Sequence, residues 1–248
     1  MMMKRFALLG GLLLALAGCG EAPAPEEAQS LEAAAAAEAA AQAAAAVPAA
    51  AGDDAAPVLS MRFQLGTHYR RLSPTQPTSS SPEQVEVAEV FWYGCPHCRT
   101  FDPYLQSWQT RKAEYVNFVR IPAVWNPLVR LHARAFYTAE ALGKSAEMHD
   151  AFFTEMHVNG NSLESEAKLQ AFFAGFGVDP AAFKTAFDSF DVHRMVQRAD
   201  ELSRRYEIAS VPTVVVNGKY VTDGGMAGGY EPLLELVDEL ATTERGAN

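Results

Sequence analysis

Hydrophobic and polar residues alternate at the start of a run from Val85 to Tyr93 that is rich in β-branched and aromatic residues. This pattern predicts a buried strand, which ends at Gly94. Beyond Gly94, apolar residues recur at three- and four-residue spacing and predict a helix from Pro96 to about Thr110. Pro96 suits the first turn of a helix, because the N–H that it lacks would have no partner there.

Helical spacing returns over a long stretch in the second half of the chain, where glycines mark the breaks. Five helices are predicted there, over residues 128–142, 145–158, 163–176, 180–190 and 192–206. The histidines in these helices show no metal-ligand spacing and are interpreted as surface or core residues.

Two short strands follow, over residues 214–216 and 219–221. Asn217 and Gly218 lie between them and predict a tight hairpin turn. A glycine-containing loop over residues 224–229 then leads to a final helix over residues 231–240. No phosphate-binding motif surrounds those glycines.

The chain starts with a short basic segment and an apolar run, residues 1–18, which is too short to span a membrane comfortably and predicts a secretory signal. The segment from Leu16 to Cys19 resembles the lipobox of bacterial lipoproteins, in which cleavage leaves the cysteine lipid-modified. The alternative is an ordinary signal peptide with a stray cysteine. Gly20 follows Cys19, where lipoproteins retained at the inner membrane often have an acidic residue. The absence of that acidic residue favours the outer membrane.

Residues 19–57 are dominated by alanine, with scattered Glu, Gln and Pro, and cannot build a hydrophobic core. We interpret them as a tether between the lipid on Cys19 and a folded domain over residues 58–248. The alternative is a coiled-coil or docking helix, but the segment lacks large apolar residues at heptad positions.

The net negative charge of the chain argues against nucleic acid as a partner. The 248 residues carry 30 acidic and 20 basic side chains, a net charge of −10. Loss of residues 1–18 would remove Lys4 and Arg5 and leave 18 basic against 30 acidic groups, a net of −12. Nucleic acid is therefore not expected as a partner.

Cys95 and Cys98 lie at the start of the first predicted helix. Residues at this spacing are roughly 5–6 Å apart on a helix, which permits a disulfide. Free N–H groups and the helix dipole favour a thiolate at Cys95, so Cys95 is the predicted nucleophile and Cys98 the resolving thiol. His97 can add charge or a hydrogen bond, and Pro96 stiffens the turn.

Two other interpretations of this cysteine pair stay open. Half of a zinc site is one, although no second cysteine or histidine pair completes four ligands. A purely structural disulfide is the other.

The run from Phe91 to Cys98, together with residues 210–220, resembles the DsbA family of periplasmic thiol–disulfide oxidases, and the resemblance covers roughly residues 62–243. It implies an α/β thioredoxin fold with an inserted all-helical subdomain, over about residues 127–206. It also implies an N-terminal strand near residues 61–69. The residue pair Val211 and Pro212 would bind substrate, with Pro212 in the cis form against the cysteines. No cofactor is expected beyond the Cys95–Cys98 disulfide.

Glu89 stands out in the central strand, because period-2 counting places it among apolar neighbours, where a carboxylate is expensive unless it is partnered. In the DsbA family an acidic residue at this position is thought to move protons beneath the redox site. Arg120, on a predicted strand over residues 115–122, falls where the family often has lysine. Arginine keeps the charge pairing but cannot release a proton.

These observations favour a lipid-anchored, monomeric oxidase of the periplasm, acting on reduced secreted proteins and reoxidised by a DsbB-like membrane protein. A reductase or isomerase using the same chemistry is the nearest alternative. A redox-silent lipoprotein that binds peptides or a metal, and a glutathione-transferase-like relative, are further alternatives.

Overall fold

The computed structural model describes Ser60 and residues 62–247. The predicted signal segment, the lipid site at Cys19 and the tether over residues 19–57 lie outside these described residues. Among the helices of the described part, none is long and apolar enough to cross a membrane.

The described residues form one mixed sheet and the helices that cover it. The strands are β1 (Arg70–Arg71), β2 (Val85–Phe91), β3 (Val116–Pro122), β4 (Thr213–Val216) and β5 (Tyr220–Thr222). The helices are α1 (Pro96–Gln109), α2 (Pro127–Ala141), α3 (Ser145–His157), α4 (Glu166–Ala174), α5 (Pro180–Phe187), α6 (Phe190–Arg205), α7 (Gly224–Ala227) and α8 (Tyr230–Ala247).

Strand β2 lies inside the sheet, whose order is β1-β5-β4-β2-β3. It pairs in parallel with β3 and antiparallel with β4, and all its residues are buried. A strand covered on both faces explains why the apolar run from Val85 alternates only in its first half. The carboxyl end of β2 leads directly to Gly94 and Cys95.

Two hydrophobic cores flank the sheet. On one side α1 and α8 contribute Phe101, Leu105, Trp108 and Leu236. The Trp108 indole also donates to Asp238 Oδ1 at 2.7 Å, which ties these two helices together. On the other side, helices α2 to α6 bury a phenylalanine-rich cluster that includes Phe136, Phe152, Phe153, Phe173, Phe183 and Phe187.

The five helices predicted in the second half of the chain are confirmed, and all lie between β3 and β4. Their starts follow from local chemistry, because a side-chain oxygen accepts an N–H of the first turn at four of them. These N-caps are Asn126, Ser165, Asp179 and Ser189. The insertion is therefore all-helical, as expected.

The hairpin at Asn217 and Gly218 is also confirmed. Both residues have positive φ, 51° and 63°, which a two-residue type I′ turn requires. A Cβ on Gly218 would lie 2.0 Å from the carbonyl oxygen of Gln76, so only glycine fits this close backbone approach.

Two local predictions are wrong, one near residues 61–69 and one over residues 224–229. Residues 62–69 form a turn and contain no strand. In this turn the Gly66 N–H donates to the Tyr69 carbonyl at 2.8 Å, and Gly66 has a φ of 83°. The N-terminal strand is the short β1 that follows this turn. The predicted glycine loop contains helix α7, whose start is capped by the Asp223 carboxylate.

Candidate active site

The two cysteines occupy different environments at the start of α1. Cys95 has extended backbone angles and is the N-cap residue, with Pro96 in the first turn. Its Sγ accepts the Cys98 N–H at 3.4 Å. The exposed fraction is 8% for Cys95 and 0% for Cys98, and both are free thiols in this structure. Cys95 is therefore the more accessible of the two thiols.

Hydrogen bonding separates the acidities of the two thiols. The hydrogen bond from the Cys98 thiol is the largest cause that lowers the pKa of Cys95, to about 6, against the opposing effect of burial. Backbone N–H donors of Cys98 and His97 and the charge of His97 lower this pKa further. Burial raises the pKa of Cys98 far above its ordinary value. The dithiol state is thus a Cys95 thiolate beside a neutral Cys98.

Pro212 and Val211 lie against the reactive sulfur, although they are far away in sequence. The Val211–Pro212 peptide bond is cis, as expected from the resemblance. The Cys95 thiol contacts the Val211 carbonyl oxygen at 3.4 Å. Both residues line an open cleft of about 410 Å³ together with His97 and Tyr230. The Val211 carbonyl group therefore links this cleft to Cys95.

Glu89 and Arg120 meet because β2 and β3 pair in parallel with these two residues opposite each other. Arg120 Nε donates to Glu89 Oε2 at 3.1 Å, and Arg120 Nη2 donates to Asp102 Oδ1 at 2.8 Å. Burial raises the pKa of Glu89 to about 7, and the charge of Asp102 adds to this, while Arg120 opposes both. Glu89 also raises the pKa of Cys98 through its charge. The buried acid is thus coupled to the resolving thiol.

Asp102 and His149 complete this charged cluster, and the sequence reasoning missed both. His149 Nε2 lies 3.0 Å from Asp102 Oδ1, and Nδ1 lies 3.1 Å from the Tyr93 hydroxyl. Burial disfavours an ionised Asp102, but hydrogen bonding to His149 holds the pKa of Asp102 below its ordinary value. Asp102 could have been found, because it lies four residues after Cys98 on the buried face of α1. No sequence signal distinguishes His149.

No group of three or more potential metal ligands occurs among the described residues. His132, another histidine of the insertion, accepts from the Trp92 indole at 2.9 Å. His157 Nε2 lies 2.8 Å from the Tyr93 carbonyl oxygen. These histidines therefore serve packing and hydrogen bonding around Trp92 and Tyr93, which link β2 to the cysteines.

Known proteins are similar to this chain in both sequence and fold. Residues 126–241 match the DSBA-like thioredoxin domain. The thiol:disulfide interchange protein DsbA of Azotobacter vinelandii is 39% identical over 196 residues, 79% of this chain and 91% of that protein. The protein of the same name from Pseudomonas aeruginosa is 38% identical over 185 residues, 75% of this chain and 87% of its own length.

This chain belongs to the DsbA family of thiol:disulfide interchange proteins.

Solved structures of the DsbA family agree with the fold described above. The crystal structure of P. aeruginosa DsbA matches with a TM-score of 0.71 and 38% identity, and the match covers 75% of this chain and 96% of that one. The structure of the oxidoreductase DsbA from Xylella fastidiosa matches with a TM-score of 0.67 and 33% identity, over 72% and 96% of the two chains. The α/β thioredoxin fold with a helical insertion, predicted by resemblance, is confirmed.

The low pKa of Cys95 predicts a pH-dependent stability of the dithiol protein. The folded pKa of about 6 lies below the ordinary 9.0, so ionisation stabilises the folded dithiol. This stabilisation is complete above pH 9 and is lost as the pH falls through 6. Absorbance at 240 nm should show thiolate formation with a midpoint near pH 6.

Urea unfolding of the dithiol and disulfide forms between pH 5 and 9 provides the control, since the disulfide form has no thiol to ionise. The difference in unfolding free energy should change in favour of the dithiol as the pH rises. A midpoint near 9, or a difference that does not vary with pH, would contradict the assignment.

Proposed function

We propose that this protein is a periplasmic thiol–disulfide oxidase, which donates the Cys95–Cys98 disulfide to reduced proteins newly delivered to that compartment. The observation that supports this most is the contrast between a Cys95 of lowered pKa and a neutral, buried Cys98. A stabilised Cys95 thiolate favours the dithiol product, which makes the disulfide a strong oxidant.

The reaction proceeds by two exchanges. A substrate thiolate attacks Cys95 Sγ, the Cys95–Cys98 bond breaks, and its electron pair goes to Cys98, which takes up a proton. The substrate's second thiolate then attacks its own sulfur in the mixed disulfide, and Cys95 leaves as a thiolate. The substrate has lost two electrons and the enzyme has gained them. The low pKa of Cys95 makes it the better leaving group in the second step.

Val211 and Pro212 are proposed to bind the substrate chain during these exchanges. Pro212 precedes β4, and the Val211 carbonyl oxygen lies 3.4 Å from Cys95 Sγ, where it can accept an N–H from an extended segment. Backbone pairing of this kind tolerates many side chains. It therefore suits an enzyme that acts on many unfolded proteins.

Glu89 is proposed to supply the proton that Cys98 needs when the disulfide opens. A carboxyl group with a pKa of about 7 is partly protonated at neutral pH, and its charge is coupled to Cys98. Arg120 cannot transfer a proton and instead fixes the Glu89 carboxyl group in place. His97 and Pro96 tune the Cys95 thiolate from the first turn of α1.

Turnover requires an external oxidant, because the enzyme leaves the reaction as a dithiol. We propose a DsbB-like, quinone-linked membrane protein in this role, with the enzyme acting as a monomer and needing no cofactor beyond its own disulfide. Such a partner would react at Cys95, which is 8% exposed and lies beside the exposed His97, whereas Cys98 is fully buried.

Reductase and isomerase activities are less well supported by the site. A reductase benefits from a stable disulfide, whereas the features around Cys95 stabilise the thiolate. A redox-silent peptide-binding protein would not need two thiols of such different acidity. The DsbA relatives are named as thiol:disulfide interchange proteins, which agrees with exchange chemistry.

A lipid anchor is the second part of the proposal and is supported by the sequence alone. Cleavage after residue 18 would leave Cys19 as the acylated N-terminus, with residues 19–57 as the tether. More than one acyl chain gives stable anchoring. Outer-membrane placement is favoured by Gly20 after the cysteine.

Disulfide donation predicts a trapped intermediate in a Cys98→Ser variant. The Cys95 thiolate of this variant can attack a peptide whose single cysteine is joined in a disulfide to 5-thio-2-nitrobenzoate; that disulfide breaks and thionitrobenzoate leaves as the thiolate. The Cys95–peptide mixed disulfide then has neither Cys98 nor a second peptide thiol to resolve it, so the adduct should accumulate on non-reducing gels. The matched Cys95→Ser variant should form none. In wild type, titration with glutathione buffers should give a reduction potential well above the value of about −270 mV for thioredoxin. A potential near that value would sink the oxidase assignment.

The proton-donor role of Glu89 predicts a changed pH profile in Glu89→Gln. In wild type, we measure the rate at which a peptide dithiol reduces the Cys95–Cys98 disulfide and divide it by the concentration of peptide thiolate. This corrected rate should fall above pH 7 because Glu89 loses its proton. In the variant, the corrected rate at pH 6 should be at most about one tenth of the wild-type rate, and the fall above pH 7 should disappear. Stopped-flow tryptophan fluorescence measures both.

Glu86→Gln is the matched control for this test. Glu86 is a buried acid on the same strand, but its carboxylate accepts from the Ser79 N–H and hydroxyl at 2.7 and 2.5 Å. Its loss should lower stability and leave the pH profile unchanged. Equal profiles for Glu89→Gln and wild type would refute the proton-donor role.

Lipid attachment predicts that Cys19→Ala abolishes membrane association while leaving disulfide exchange intact. Wild type expressed in a bacterium should incorporate labelled palmitate and partition into the detergent phase of Triton X-114. The variant should do neither, and should keep its reduction potential. Palmitate labelling that persists in Cys19→Ala would show that the anchor is elsewhere.

A further inference from the structure

Tyr230, the first residue of α8, contacts the redox helix in a way that the sequence did not indicate. Its ring stacks on Phe101 with a centroid distance of 4.8 Å, and Tyr104 lies 5.5 Å away on the outer side. Its hydroxyl donates to the carbonyl oxygen of His97 at 3.1 Å. The ring is therefore held by packing while its hydroxyl reaches the active-site turn.

The acceptor of this hydrogen bond belongs to a particular peptide group. The His97 carbonyl and the Cys98 N–H are the two ends of one amide, and that N–H donates to Cys95 Sγ at 3.4 Å. Hydrogen bonds at the two ends of an amide polarise each other, so a donor on the oxygen strengthens donation by the nitrogen. A continuous path thus runs from the Tyr230 hydroxyl through one peptide group to the reactive sulfur.

We propose that Tyr230 is a positioning residue for disulfide exchange, whose hydroxyl orients and polarises the peptide group between His97 and Cys98 and thereby stabilises the Cys95 thiolate. The inference rests on the proposed function, in which Cys95 is the nucleophile and leaving group. It assigns part of the oxidising character to Tyr230, which lies 133 positions after His97 in the sequence.

The hydroxyl can act only as a donor in this contact, because a carbonyl oxygen only accepts. Burial, and next the charges of Cys98 and Cys95, raise the pKa of Tyr230, which therefore keeps its proton at neutral pH. The donor is thus present throughout the range in which Cys95 ionises.

The glycine at the start of α7 supports a fixed ring position. A Cβ on Gly224 would lie 2.9 Å from Tyr230 Cε1, so the ring packs directly on the backbone there. Phe101 also stacks on the ring. A phenylalanine at position 230 would keep these contacts and lose only the hydroxyl.

Other charged groups that act on Cys95 stay in place in such a variant. These groups are His97 on α1 and Glu89 on β2, and the neutral Cys98 thiol that donates to Cys95 also stays. The groups that act on Tyr230 are the two cysteines and Tyr104. A change in Cys95 ionisation can therefore be attributed to the lost hydroxyl.

The test compares Tyr230→Phe with Tyr104→Phe in the otherwise unchanged protein. Tyr104 is a matched control because its ring lies beside Tyr230 and is 38% exposed, while no hydrogen bond from its hydroxyl occurs among the described residues. The readouts are thiolate absorbance at 240 nm against pH and the reduction potential in glutathione buffers. Thermal unfolding of the disulfide form reports any general loss of stability.

Cooperative strengthening by about 10–30% of a hydrogen bond to a charged group corresponds to about a threefold change in proton affinity. Tyr230→Phe should therefore raise the pKa of Cys95 by about half a unit. It should also make the disulfide about threefold less oxidising, or about 14 mV lower in potential at 29.6 mV per tenfold change. Tyr104→Phe should match wild type in both.

Two failures can be told apart. If wild type is strongly oxidising and its Cys95 ionises near pH 6, but Tyr230→Phe behaves like Tyr104→Phe, the inference about Tyr230 is overturned and the oxidase assignment stands. If wild type itself ionises near pH 9 with a reductase-like potential, the proposed function fails first. A lower unfolding temperature of Tyr230→Phe without a change in pKa or potential would show that the hydroxyl is merely structural.

Discussion

The unequal treatment of two sulfur atoms, three residues apart, is the constraint on which the site depends. The start of α1 gives Cys95 the backbone N–H donors of His97 and Cys98 and a small exposed area, while the same turn places Cys98 in the core. One sulfur is stabilised as an anion and the other as a neutral thiol. A disulfide between them has neither advantage, so this environment makes reduction of the disulfide by a substrate dithiol more favourable. The oxidising character proposed here is therefore a property of the fold around the dithiol and not of the disulfide bond itself.

Beneath the cysteines, strand pairing holds two charged side chains in a fixed position, which a loop would do poorly. The register of β2 and β3 places Glu89 beside Arg120, so the charge pair is fixed by backbone hydrogen bonds. Arg120 spans two carboxylates, those of Glu89 and Asp102, and one guanidinium cannot fully compensate both. Burial, with the charge of Asp102 adding to it, therefore holds the pKa of Glu89 at about 7 despite Arg120. Because arginine never deprotonates in this range, the cluster keeps its only fixed cation in every redox state.

Much of the fold could be predicted because its signals are local. The strand before Cys95, the insertion helices and the Asn217 turn each follow from spacing, caps or turn chemistry within a few residues. Pro212 and Glu89 needed the family resemblance, since nothing local says what they contact. His149 and Tyr230 could not be found from sequence, because their roles come from partners 47 and 133 residues away on other elements. The strand expected in residues 62–69 is absent because Gly66 bends the chain there. This strand was expected only from the family resemblance, and no local signal supported it.

The site draws its parts from distant stretches of one polypeptide. The contact between Cys95 and Val211 joins residues 116 positions apart, and the whole helical insertion lies between them. Ribosomes make a chain from its N-terminus, so both thiols exist before the residues that cover and orient them. A nascent or truncated chain that ends within the insertion has the cysteine motif but no cis-proline cleft. Such a chain would carry two thiols without the means to hold a substrate beside them. The order of the parts along the chain thus delays a working redox centre until Val211 and Pro212 have been synthesised.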